Sequence, residues 1–318
     1  MSEYGQSDAS AASAEDMLRG ELAHCDAIIA SSGPIVRHLL LNDDQTLFND
    51  EVTARIRGMI ADIARQLLST VQRQIGVGRP AFSEKRADAL ALSLLENTVF
   101  LSHLHALAVE ALVSERLSVR SGIDPVRSPL LVELAVSPDA EIAAAARHAL
   151  AAQARFMQQQ RRMELAFEEL PQELFDISLA SLDDCLERDS DAVADAASYL
   201  RDSRDPTKRR IYQFSWLMSA LGTGADQALE IDRAGVGLFV TALSIGSYQT
   251  RETAILSLGQ QQSSRLTLSM RAAGLGQDKV EEQLLLLHPD LTVPDQLKAI
   301  AGVRAIALLS AAQSKAQA

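Results

Sequence analysis

Histidine chemistry has little to build on in this chain. Six histidines, His24, His38, His103, His105, His148 and His288, are spread along it. His103 and His105 stand two apart, so on a helix they point about 200° from one another and cannot share a metal ion. Glu96, His103 and Glu110 recur at a spacing of seven and fall on one helix face, yet successive members are about 10 Å apart along the axis. One metal cannot span that distance without ligands from another helix, and the Glu-x-x-His motif of di-iron carboxylate helices is missing. Two readings fit this face. It is a polar seam in a packed bundle, or it belongs to a signalling module: a phosphotransfer histidine at His103 flanked by Glu96 and Glu110, or a small-molecule sensor lodged between helices of an N-terminal bundle. Phe100, Leu101 and Leu104 around His103 weigh against the exposure that phosphotransfer requires.

The second constellation is basic and aromatic. Arg201, Arg204, Lys208, Arg209 and Arg210 fall in a short stretch with Asp202 and Asp205, followed by Tyr212, Phe214 and Trp216, the only tryptophan. Arginine and aromatic side chains dominate the energetic centres of protein interfaces. The stretch is therefore expected to anchor an acidic partner segment through Arg201, Arg204, Lys208, Arg209, Arg210, Tyr212 and Trp216. The plainer alternative sends the aromatics into the core and leaves a solvated helix start. Arg161-Arg162 reads as a solvated helix face.

The remaining motifs are structural. Gly76-Val77-Gly78, Gly222-Thr223-Gly224 and Gly274-Leu275-Gly276 follow no strand and lack the Lys-Ser/Thr of a phosphate loop, so they read as helix terminations. His288-Pro289-Asp290 is similar to the loop tripeptide of J-domain co-chaperones, but the helix before it, Asp278–Gln283, is acidic where theirs is basic; a helix stop is the expectation. Cys25 and Cys185 form neither a Cys-x-x-Cys pair nor a disulfide framework. No Gly-x-Ser-x-Gly elbow occurs.

Composition sets the frame. The chain has 318 residues, 47% apolar and 23% charged, with a mean hydropathy of +0.02. That excludes disordered and collagen-like classes. Against 30 basic residues stand 42 acidic ones, a net charge of −12 shared evenly by the part that ends at Asp124 and the part that follows it. Nucleic-acid binders concentrate positive charge, so nucleic acid is not expected as the partner. The polar N-terminus, Met1–Ala14, reads as a flexible tail rather than a secretory signal. The longest apolar stretch, Ala234–Gly246, is shorter than the roughly 20 residues a membrane span needs. A cytoplasmic location is the expectation by elimination.

Helices must position whatever site exists, because strand signals are nearly missing. From Val52 the apolar positions run Ile56, Met59, Ile60, Ile63, Leu67, Leu68, Val71 and Ile75, with Arg55, Arg57, Asp62, Arg65 and Arg73 off the stripe. Asn49 or Asp50 caps this helix and Gly76 ends it. Glu84–Arg120 reads as one helix that becomes apolar all round, the centre of a bundle with Ala14–Ser31, Pro34–Leu41 and Val52–Ile75. Ser121–Pro129, with one Gly and two Pro, is the expected linker. Beyond it Ser137-Pro138-Asp139 precedes Ile142, Ala145, Ala146 and Ala149, and Asp189-Ser190-Asp191 precedes Val193, Ala196, Ala197 and Leu200. An acidic cap before a helix with a small-residue face suits stacked helix pairs. The expected organisation is a tail over 1–14, a helical bundle over 15–120, a linker over 121–129 and a repeat domain over 130–318.

The segments Asp124–Leu131, Ala151–Phe156, Gln160–Leu165 and Leu284–Asp290 resemble a family of HEAT-like helical proteins of unknown function from alphaproteobacteria. The likeness spans roughly Glu84 to His288. It implies an all-α fold, an N-terminal bundle followed by a HEAT-like α-solenoid, and it transfers no site residue. The expected function is a non-catalytic scaffold or regulatory adaptor with a protein partner and no cofactor or metal. Homodimerisation through apolar helices such as Gly235–Ser244 is a further expectation.

Overall fold

The computed structural model describes residues 3–41, 50–75, 82–186, 190–291 and 300–316, which fold as helices and turns with no strand among them. In chain order the helices are α1 (Glu3–Leu41), α2 (Asp50–Ile75), α3 (Glu84–Leu95), α4 (Thr98–Ser121), α5 (Pro129–Leu134), α6 (Ala140–Arg161), α7 (Gln172–Cys185), α8 (Ser190–Ser203), α9 (Arg210–Leu221), α10 (Ile231–Ser247), α11 (Arg251–Leu256), α12 (Ser263–Ala272), α13 (Gln277–Leu287) and α14 (Gly302–Ala316). They gather into two compact units. The first holds Met1–Ser32, Leu112–Ala146 and Phe214–Ala318; the second holds Gly33–Ala111 and Arg147–Gln213. The expected linker, Ser121–Pro129, lies inside the first unit. There Asp124 Oδ1 accepts the N–H groups of Val126 and Arg127, both at 2.8 Å. These bonds hold the Asp124 carboxyl below its ordinary range.

In the second unit α2 packs against α3 and α8, and α7 against α3 and α8. The stripe read from the sequence is the buried one up to its last member: Val52, Ile56, Met59, Ile60, Ile63, Leu67, Leu68 and Val71 are all in the core, and Ile75 is half-buried. Arg55 departs from the expectation. It is buried on the helix, with Nη2 2.7 Å from Glu51 Oε1, one turn away. Asn49 and Gly76, the expected ends of α2, lie outside the described residues. The turn after α6 is pinned to α2. Asp62 Oδ2 accepts the Leu165 N–H at 3.2 Å, while Gln66 donates to the Leu165 carbonyl at 2.8 Å and accepts the Phe167 N–H at 2.9 Å.

Two helix boundaries differ from the sequence reading. Glu84–Arg120 is not one helix: α3 ends at Leu95 and α4 starts at Thr98, with a bend of 95° between them. Asn97 explains the break, since its Oδ1 accepts the Phe100 N–H at 2.9 Å and so caps α4 in place of continuing α3. At the N-terminus α1 begins at Glu3 and runs through Pro34 to Leu41, taking in the segment expected as a tail and two segments expected as separate helices. Alanines at positions 9, 11, 12 and 14 supply the helix propensity of that segment.

In the first unit α10 packs against α5, α11 and α12, and α12 against α13 and α14. Every residue from Ala234 to Leu243 is buried, so the apolar surface expected to drive self-association is covered by the chain's own helices. Among the described residues no single helix is long and apolar enough to cross a membrane. The acidic cap before α6 is as expected, Asp139 Oδ1 accepting the N–H groups of Glu141 and Ile142 at 2.9 and 3.2 Å. In the second copy Val193, Ala196, Ala197 and Leu200 are buried, while Asp189 lies outside the described residues.

The close approach of α2 to the end of α6 requires a glycine. A Cβ on Gly58 would stand 2.4 Å from Met163 Cβ and 2.6 Å from the Met163 carbonyl oxygen. Gly58→Ala is expected to destabilise the fold by about 1–3 kcal/mol in urea unfolding. Gly20→Ala on α1, where a Cβ meets open space, is expected to stabilise it by about 0.5–1 kcal/mol. Equal responses at the two positions would contradict this packing.

Candidate functional site

The basic stretch divides into one inward arginine and several outward cations, all of the following lying in the second unit. Arg210 opens α9 and turns into the core, where its side chain is 2% exposed and that of Glu110 on α4 is 0% exposed. Its Nη1 donates to Glu110 Oε1 at 2.5 Å and its Nη2 to Glu110 Oε2 at 3.0 Å. Nη1 also donates to Gln153 Oε1 on α6 at 2.9 Å, and the guanidinium carbon sits 3.7 Å from the Phe156 ring centroid. Its backbone N–H donates to Glu169 Oε2 at 3.0 Å, which caps the start of α9. Arg210 is thus a structural cation and not part of an exposed docking surface, a correction to the sequence reading. The cause is Glu110: a carboxylate inside an apolar helix demands a buried positive partner.

The other members face outward to different degrees. Arg201, in the last turn of α8, is exposed, and Lys208 is 82% exposed with Nζ 3.3 Å from Asp205 Oδ2. Arg204 and Arg209 are half-buried and meet at one acceptor. Arg204 Nη2 donates to the Leu170 carbonyl oxygen, and Arg209 Nη1 donates to the same oxygen at 3.2 Å. Arg204 Nη1 donates to Gln172 Oε1, and its guanidinium carbon stands 4.2 Å from the Phe175 ring centroid. Burial and then the neighbouring Arg209 charge weaken Arg204's hold on its proton, with Asp176 acting the other way. Among the described residues no carboxylate lies within ion-pair distance of either arginine. Tyr212 is 41% exposed, whereas Phe214 and Trp216 belong to the first unit, Phe214 buried and Trp216 half-buried.

The histidine constellation is not assembled. Glu96 is the C-cap of α3, beyond the bend from α4, and Glu110 is committed to Arg210, leaving His103 half-buried on α4. Burial pushes the pKa of His105 below the ordinary 6.5, and its Nδ1 is enclosed without a hydrogen-bond partner among the described residues. Its folded-state pKa is lowered, so its contribution to stability is present at neutral pH and declines as pH falls through 6.5. Both thiols are pushed up by burial and hence kept protonated, Cys25 in the core and Cys185 half-buried. His288 ends α13, its Nε2 2.9 Å from the Leu258 carbonyl oxygen, in line with a helix stop. No cluster of three metal-ligating side chains occurs among the described residues.

The first unit holds a polar network that no motif or spacing announces. Arg265 on α12 is fully buried; its Nη2 donates to Asp26 Oδ1 on α1 and its Nη1 to Gln249 Oε1 at 2.9 Å. Gln249 Nε2 in turn donates to the hydroxyls of Ser247 and Ser269. Asp26 also borders a cavity of about 390 Å³ between α1 and α14, lined by Arg19, Leu22, Leu308 and alanines of both helices. Burial raises the Asp26 carboxyl above its ordinary range against the pull of Arg265. A raised carboxylate works opposite to the usual one: its contribution is present below the ordinary 3.8 and declines as pH rises through the folded value. The partners are far apart in the sequence, and no local pattern connects them.

No family model, no curated protein and no solved structure matches the chain.

The Glu110–Arg210 pair generates a test of coupling. Glu110→Leu and Arg210→Met are each expected to cost about 3–5 kcal/mol in urea unfolding, because each strands a buried charge. The double variant is expected to cost far less than the sum of the two. Additive losses would contradict the pairing.

Proposed function

We propose that this protein is a non-catalytic scaffold or regulatory adaptor, cytoplasmic and built on HEAT-like stacking of helix pairs, in keeping with the family its sequence resembles. It holds an acidic segment of a protein partner on the outward basic strip formed by Arg201, Arg204, Lys208 and Arg209, with Tyr212 as its aromatic neighbour. The observation that carries this reading is the pairing of Arg204 and Arg209 on one neutral carbonyl. Fixed cations with no ion-pair partner among the described residues favour an acidic visitor, since electrostatic complementarity sets both encounter rate and specificity. Net charge argues the same way for a protein partner: a chain at −12 repels polyanions at long range, so a short acidic segment suits the strip better than a nucleic acid.

A second reading is a small-molecule sensor. It draws on the cavity of about 390 Å³ between α1 and α14, a volume within the range of ligand pockets. On this reading the ligand lies beside Asp26, away from His103.

One experiment separates the two. Tagged full-length protein, its Arg204→Gln/Arg209→Gln variant and an Arg155→Gln control, which removes an exposed charge on α6, are recovered from the native cell and analysed by quantitative mass spectrometry. The adaptor reading expects partners with acidic segments whose recovery falls about tenfold or more in the double variant alone. Equal recovery in all three contradicts it. A small molecule retained by all three, with no protein partner, supports the sensor.

A further inference from the structure

Arg204 and Arg209 differ from the rest of the strip in how their charge is answered. Lys208 has Asp205 beside it, and Asp205 also accepts the Thr207 N–H and hydroxyl at 3.0 and 2.6 Å. The two arginines share only the Leu170 carbonyl and, for Arg204, the Gln172 amide oxygen. Asp176, the acid whose field reaches Arg204, is already engaged, its Oδ1 and Oδ2 lying 3.0 and 2.9 Å from Gln172 Nε2. Most of the Nη hydrogens of the two guanidiniums therefore remain uncommitted. Phe175 lies against Arg204 and the Leu170 carbonyl tethers both side chains, so little rotamer freedom is left to lose on binding.

Two guanidiniums gathered on one oxygen repel each other, and an anion lodged between them removes that repulsion. The stoichiometry of charge decides which anion. A carboxylate brings one negative charge and satisfies one fork. A phosphate monoester brings a charge of about −1.5 to −2 at neutral pH and three acceptor oxygens, enough for two planar forks at once. We propose that Arg204 and Arg209 form a phosphoryl-reading notch, and that the acidic segment docking there is a phosphorylated stretch of a partner protein. The phosphoryl group bridges the two guanidiniums, and Lys208 and Arg201 accompany the flanking acidic residues. This assignment rests on the adaptor reading and names its partner class.

The test uses the full chain and a fluorescein-labelled Gly/Ser peptide with one phosphoserine, alongside the same peptide carrying Ser or Glu at that position. Binding is followed by fluorescence anisotropy. The phosphoserine peptide is expected to bind about tenfold or more tightly than either counterpart, with inorganic phosphate displacing it. Arg209→Gln is expected to abolish that margin and Arg155→Gln to preserve it. Arg209 lacks the ring packing of Arg204, so its variant should keep the far-UV circular dichroism and melting temperature of the parent. Arg204→Gln serves as the second variant, with the same loss expected at unchanged helicity. Equal binding of the Glu and phosphoserine peptides overturns the phosphoryl assignment and leaves acidic docking standing. Binding of none of the three overturns both. Undiminished phosphoserine binding by Arg209→Gln overturns the site, and binding of inorganic phosphate alone overturns the protein segment as its source.

Discussion

A guanidinium withdrawn from water must be met at close range by a carboxylate, and the second unit is arranged around one such meeting. Glu110 on α4 receives Arg210 through both of its oxygens, with Gln153 and Phe156 of α6 closing the remaining sides. This fixes where α9 begins. It also fixes the path just before α7, because Glu169 accepts the first backbone N–H of α9 and the next residue, Leu170, offers its carbonyl to Arg204 and Arg209. One buried pair thereby settles which arginine of the strip is structural and which remain available. Paired and hydrogen-bonded, such a group is tolerated in a core; with either partner removed it is not.

The first unit applies the same rule differently. Arg265 is as deeply buried as Arg210, but its carboxylate, Asp26, keeps partial access to solvent beside the cavity along α1, and an amide–hydroxyl relay through Gln249 satisfies the other side. Around it α10 supplies the apolar mass. The two units share a chemistry of buried arginines in helical cores while differing in what lies next to each: an outward cation pair in one, an apolar cavity in the other.

Much of this was legible in the residues. Periodicity identified the buried face of α2 almost position by position, and Asp139 as the cap of α6 followed from an acidic residue before an apolar-small pattern. Apolar spacing and the scarcity of strand signals point to helices throughout. Short-range competition was harder to read. Asn97 breaks an otherwise continuous apolar helix because a cap side chain outbids the propensity of its neighbours, and α1 runs through Pro34 although a proline removes a helix hydrogen bond. Long-range pairing was not legible at all. Glu110 was grouped with His103 by helical spacing, yet its true partner lies on another helix far along the chain. The strip of arginines is visible as a strip; that Arg210 is buried while Arg204 and Arg209 stay half-buried depends on Glu110 and Leu170, which no local pattern connects to it.

Guanidinium NMR of the full chain, selectively labelled at arginine, addresses this division of the strip most directly. As inorganic phosphate is added, the Arg204 and Arg209 signals should move together along a single saturating curve while the Arg210 signals stay fixed on Glu110. Movement of Arg210 with the others, or silence of Arg204 and Arg209, would contradict the account.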